Sequence, residues 1–163
     1  RFAAVIAAAF LSFSVSAQTS TMPLKHTDKT FFEKAAKAGM EEVDISRVMA
    51  DRTTNPQVRE FAQMLVSDHT SANEKLTSIS IGKDVKLPGQ DMDAATKWMK
   101  KDAKGLDEDY LEKMISAHKD AVELFQKEAD KGEDPDARDF ARDTLPKLQH
   151  HLQMALDLKK TVK

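Results

Sequence analysis

The sequence predicts an all-α fold: a four-helix bundle made from two repeated helical hairpins joined by a long crossover with a short helix. Three observations carry this reading. Gly and Pro are scarce, five of each in 163 residues, which disfavours a turn-rich β fold. Apolar residues recur at spacings of three, four and seven. Finally, the chain repeats itself. Shifted by 79 residues (110 − 31 = 79), Phe31–Ala62 falls on Tyr110–Ala141 without a gap. Ten pairs are identical, among them Glu33/Glu112, Pro56/Pro135, Arg59/Arg138 and Phe61/Phe140. An internal repeat accounts for this better than composition does.

The chain divides into three parts. Residues 1–17 read as a signal peptide: Arg1, the apolar run Phe2–Val15, and small residues ahead of a cleavage site after Ala17. The run is short for a membrane span, so no transmembrane domain is expected after cleavage, although a retained anchor is the competing reading. Export places the protein in the periplasm or outside the cell. Cleavage removes Arg1 and takes the formal charge from −2 to −3 (−2 − 1 = −3). There is no cysteine, so stability must come from packing. Residues 18–27 form a polar, flexible lead-in, and residues 28–163 form the bundle. Charge is interspersed and no basic face emerges, which argues against a nucleic-acid partner.

The first helix is expected from Asp28 to Arg52, with Phe32, Ala36, Gly39, Val43 and Ala50 on its apolar stripe. Asn55 and Pro56 restart the chain as N-cap and first helical residue. The second helix carries Val58, Phe61, Leu65, Ala72, Leu76 and Ile79, and ends near Gly82. The third begins with Asp107 as N-cap and buries Leu111, Ile115, Val122, Phe125 and Ala129. Asp134-Pro135 repeats the capping device and opens the fourth, with Ala137, Ala141, Leu148, Leu152, Ala155 and Leu158 inward. Pro146 inside that helix must bend it or free the Arg142 carbonyl.

The connection from Lys83 to Leu106 is too long for a simple turn. It holds an amphipathic segment, Asp91–Lys104, with Ala95, Trp98 and Met99 on one face. Such a segment can travel the bundle, about 37 Å for 25 helical residues, and deliver the third helix parallel to the second. That is the one-crossover arrangement of a ferritin-like bundle. Trp98 is expected to pin the crossover to the core.

Four polar residues interrupt the apolar stripes: Glu42, His69, His118 and His151. Counted from the interhelical turns at 1.5 Å per residue, Glu42 and His69 lie about 20 Å along their helices and His118 and His151 about 25 Å. One ligand-type residue per helix at one level is how bundles build metal sites. One carboxylate with three imidazoles suits Zn, Cu or Fe rather than Ca or Mg. Asp68 and His150 are neighbours able to orient or replace a ligand. The opposing reading is a buried polar network that fixes helix register.

Other chemistries lack residues. Glu-x-x-His, needed twice for a carboxylate-bridged di-iron centre, is absent: Val66, Ile115 and Leu148 stand three before the histidines. No Gly-rich phosphate loop or Ser/His/Asp set stands out. Glu33 and Glu112 sit near helix starts, where the helix dipole favours them. Seven methionines between Met40 and Met154 are soft enough for copper, yet helical spacing suits core filling.

Phe31–Val43 (FFEKAAKAGMEEV) resembles the start of a bacterial ferritin-like domain of unknown function, the 4142 family, whose exported members are often labelled outer-membrane or periplasmic proteins. So do Asn55–Ala62, Ser67-Asp68-His69, Ala117–Val122 and Thr144–Leu152. The resemblance spans about Asp28 to Lys160. It implies a ferritin-like four-helix fold and export, and no activity. Its motifs contain the Glu and His positions reached from the stripes.

Three functions remain open. The first is transition-metal binding at Glu42, His69, His118 and His151. The second is a structural or stress-related interaction module in which those residues only set register. The third is a metal-dependent oxidoreductase. An enzyme is the less favoured reading.

Overall fold

A computed structural model describes residues 24–83 and 85–162. The expected signal peptide and residues 18–23 of the lead-in lie outside them. The chain forms α1 (His26–Arg52), α2 (Pro56–Ile81), α3 (Asp93–Lys100), α4 (Leu106–Lys131) and α5 (Pro135–Thr161), with no strand among the described residues. The two hairpins are α1–α2 and α4–α5.

Both hairpin turns are built as their sequences dictate. Asn55 accepts from the N–H groups of Gln57 and Val58, and Pro56 opens α2. Asp134 accepts from Ala137 N–H, and Pro135 opens α5. Each cap satisfies donors that the first helical turn leaves orphaned. The second turn is held further by the buried Asp28. Its carboxylate accepts from Glu133 N at 3.3 Å and Asp134 N at 2.9 Å, tying the start of α1 to the α4–α5 turn.

The hairpins pack side by side, α1 against α4 and α2 against α5. Phe31 meets Phe125 with ring centroids 5.0 Å apart, whereas Ser46 bonds the Tyr110 hydroxyl at 2.8 Å. Residue numbers rise along α1 as they fall along α4, so the two are antiparallel. Lys75–Asp143 and Asp68–Lys147 give the same result for α2 and α5. Helix α4 therefore runs parallel to α2, as a long crossover permits.

Three details differ from the sequence expectations. Helix α1 starts at His26, inside the expected lead-in. Helix α4 starts at Leu106, with Gly105 rather than Asp107 as N-cap. Gly105 has φ +73°, a left-handed conformation that glycine adopts without a Cβ clash, and Asp107 falls in the first turn, facing the helix dipole. In the crossover, α3 is shorter than Asp91–Lys104. Ala95 and Trp98 are buried, but Met99 is 57% exposed, because eight helical residues offer only a narrow inward stripe. Trp98 packs edge-on against Tyr110, and Arg52 donates to the carbonyls of Trp98 and Lys101, so the crossover is pinned as expected. Helix α5 continues through Pro146.

The core comes in two pieces. One surrounds Ile45, Met49, Phe61, Leu65, Tyr110 and Met114, and the other surrounds Phe31, Phe32, Leu76, Phe125, Phe140 and Leu148. Glu42, His69, His118 and His151 fill the level between them, all buried. A polar layer at mid-bundle thus separates two apolar ends.

Candidate metal centre

Each helix of the bundle contributes one polar residue to this layer. The structure brings together all four residues singled out from the stripes. Glu42 Oε2 lies 3.2 Å from His69 Nε2 and 3.5 Å from His118 Nε2. His118 Nε2 lies 3.3 Å from His151 Nδ1. One nitrogen from each imidazole falls within 4.8 Å of the other two.

Outer partners decide which atoms face the centre. His118 Nδ1 sits 2.9 Å from the Met114 carbonyl oxygen. A carbonyl only accepts, so Nδ1 carries the hydrogen and Nε2 keeps its lone pair. His151 Nε2 sits 2.9 Å from Asp68 Oδ2. Burial alone would raise the Asp68 pKa, but hydrogen bonds from Lys147 and His151 outweigh it and hold the group below its ordinary value. Ionised, Asp68 also only accepts, so His151 Nε2 carries the hydrogen and Nδ1 keeps its lone pair. Two neutral rings therefore point lone pairs at each other across 3.3 Å. No hydrogen bond can form between them in that state; a cation can sit there.

Burial is the main influence on charge in this layer. It pushes His69 down to about 3, with the neighbouring His118 and His151 acting in the same direction. It pushes His118 down to about 4 against the opposing bond to Met114. His151 is also lowered by burial, with Asp68 opposing. Glu42 is pushed up to about 8 by burial, with Lys113 pulling it back. The imidazoles are thus neutral and available as ligands near neutral pH. Glu42 Oε2 and His69 Nε2, though 3.2 Å apart, form no well-aligned hydrogen bond with each other or with another described residue.

The separations suit a particular geometry. A tetrahedral ion with bonds of about 2.0–2.1 Å spaces its ligand atoms about 3.3–3.4 Å apart. Three of the six edges among the four residues, 3.2, 3.5 and 3.3 Å, bracket that value; the set whose ligand atoms all lie within 4.8 Å of one another is the three imidazoles, with Glu42 close to His69 and His118. Of the two neighbours named from the sequence, Asp68 bonds His151, whereas His150 is exposed and faces away. Lys147, which bonds Asp68 at 2.9 Å, and the Met114 carbonyl were not identified from the sequence. Lys147 stands one helical turn before His151, but exposed lysines at that spacing are too common to signal a role.

The family model described as a domain of unknown function, DUF4142, matches residues 13–158. The chain belongs to the DUF4142 family. No curated protein matches the sequence. Among solved structures, this DUF4142 chain is similar to a DUF305 fragment from Deinococcus radiodurans, with TM-score 0.74 and 13% identity, covering 86% of this chain and 100% of that one. It is also similar to CopM in the Cu(I)-bound form, with TM-score 0.71 and 15% identity, covering 84% and 98%. At these identities the likeness is one of fold: an all-helical bundle. Among the described residues of this family member, no helix is long and apolar enough to cross a membrane.

Proposed function

We propose that this protein binds a single transition-metal ion at mid-bundle, through Glu42 Oε2, His69 Nε2, His118 Nε2 and His151 Nδ1. The observation that carries the reading is the pair of facing lone pairs on His118 and His151, with Glu42 Oε2 and His69 Nε2, 3.2 Å from each other, beside them. A register-setting polar network is expected to satisfy its own members. The facing His118 and His151 nitrogens share no hydrogen in their neutral state, which favours the metal over that alternative. Three nitrogens and one oxygen suit Zn²⁺ or copper, and iron less well, since iron generally takes more ligands. The fold shared with Cu(I)-bound CopM is consistent with copper. With Glu42 drawn in beside the three clustered imidazoles, four protein ligands would leave no open position, so we read the site as one for holding or carrying metal rather than for catalysis. The signal-like residues 1–17 support export, and the single crossover supports a ferritin-like bundle.

Thermal melting with and without metal tests the proposal. Zn²⁺ at a hundredfold excess over its Kd stabilises by about 2.7 kcal/mol, which raises Tm roughly 5–10 °C in a chain of this size. The rise is expected to vanish in His69→Ala, and elemental analysis is expected to give one equivalent of metal. A melt unchanged by Zn²⁺ and by Cu⁺ overturns the reading.

A further inference from the structure

The four-residue centre is buried, so an ion must reach it through the bundle wall. Two spaces touch it, and Ala38, Glu42 and Ala121 border both. One is a cavity of about 30 Å³ inside the bundle, lined from all four long helices, with Asp68, His69, Lys147 and His151 among its borders. It has room for a water or two. Between α1 and α4 lies a groove of about 450 Å³. Ala38, Ala117 and Ala121 line it, so the helices leave a gap where larger side chains would close the seam. Glu42 lies at its inner end, only 2% exposed, with Oε2 turned to His69 Nε2 at 3.2 Å. At the mouth, Lys113 and Glu41 form a 2.8 Å ion pair, both partly exposed.

Size separates the two routes. A space of this kind needs about 10–15 Å³ for each water, so a divalent ion with six waters needs roughly 60–90 Å³. The groove accommodates that and the cavity does not. We propose that the α1–α4 groove is the uptake site for a hydrated divalent cation, with Glu42 its first protein ligand. This rests on the metal reading above. The ion exchanges water for Glu42 Oε2 at the inner end of the groove, then passes to the three imidazole nitrogens behind it. The Lys113–Glu41 pair opposes its passage, because the ammonium repels the incoming charge and both side chains occupy the mouth.

Stopped-flow uptake of Co²⁺ and Zn²⁺ by the full chain tests this, alongside equilibrium Kd by chelator competition. Ala117→Leu, at a half-buried position that borders the groove alone, fills the groove; Ala38→Leu, which borders both spaces, narrows both. Each is expected to slow uptake and release together by about tenfold, leaving Kd within threefold. Lys113→Ala opens the mouth and is expected to speed uptake, a gain that misfolding cannot imitate. Thr144→Leu, which borders the cavity and not the groove, is expected to leave the rates unchanged. Slowing by Thr144→Leu alone, or no change in either leucine variant of the groove, overturns the route while leaving the metal site standing. If the wild-type chain takes up no ion at equilibrium, the metal reading fails, and the route with it.

Discussion

Lys147 Nζ lies 2.9 Å from Asp68 Oδ1, and the two residues are each other's counterparts in the duplicated sequence (68 + 79 = 147). Equivalent positions of two hairpins meet where α2 crosses α5. Opposite charges at those positions turn a symmetric encounter into an ion pair. The other oxygen of Asp68 holds the His151 ring. Divergence at one repeated position thus contributes both a clasp between hairpins and an orienting group for the centre.

Asp68→Asn is therefore expected to weaken Zn²⁺ binding by about 10–100-fold, measured by competition with a chelator. The amide can still accept from His151 but no longer stabilises it by charge. Lys147→Met is expected to have a smaller effect, because it loosens Asp68 without removing it. Nitrogen-15 spectra of His151 are expected to report hydrogen on Nε2 in the wild type. Unaltered affinity in Asp68→Asn counts against an orienting role.

A second prediction concerns pH. Glu128 is pushed up to about 7, chiefly by burial, then by the nearby carboxylates of Asp28 and Asp134, with Arg138 opposing. Its folded pKa lies above the ordinary value of 4.5, so the folded state binds the extra proton. Its contribution to stability is fully present below about pH 4.5 and is lost as pH rises through about 7. Glu128→Gln removes that loss. The Tm of the variant minus that of the wild type is expected to grow from pH 5 to about pH 8. A difference that stays flat overturns the assignment.

The two hairpin caps are expected to differ in weight. Asn55→Ala loses hydrogen bonds to Gln57 and Val58 and is expected to destabilise by about 1 kcal/mol, seen as a lower denaturation midpoint. Asp134→Ala loses the cap to Ala137 and also the 2.6 Å bond from Lys83, in a largely buried pair. Its loss is expected to be larger, about 2 kcal/mol. Equal losses would show that the Lys83 contact adds nothing.

Gly39 offers a repair experiment. A Cβ there would fall 2.2 Å from Asn73 Oδ1, so Asn73 fills the space that the glycine leaves. Gly39→Ala alone must displace that side chain. The double variant Gly39→Ala, Asn73→Ala relieves the clash and keeps the helical gain of alanine over glycine, about 0.5–1 kcal/mol. Calorimetry is expected to rank the double variant above the single.

Much of this was legible in the sequence because it rests on period and punctuation. Asn55-Pro56 and Asp134-Pro135 announce both hairpin turns, and counting from them placed Glu42, His69, His118 and His151 at one level. Those four meet because helical rise is uniform enough to survive 13 to 17 residues. What escaped depends on rotation and on contacts distant in sequence. Whether Asp68 or His150 backs the centre is decided by about 100° of helical turn, and neighbours in sequence differ by that much. The Met114 carbonyl is main chain and leaves no residue signal. Gly105 displaced Asp107 as cap because a left-handed φ, rather than a capping side chain, turns the chain into α4.

The polar layer draws Glu42 and His69 from the first hairpin, and His118 and His151 from the second. Their counterparts under the 79-residue shift are Ala121, Leu148, Gly39 and Ala72, none of them a ligand. Neither half of the chain can assemble three imidazoles alone, and a pair of identical halves would present the wrong set. An ion seated there acts as a rivet through both halves. A chain nicked in the crossover near Gly89 would then hold together while loaded, and its halves would part more readily once the ion is chelated.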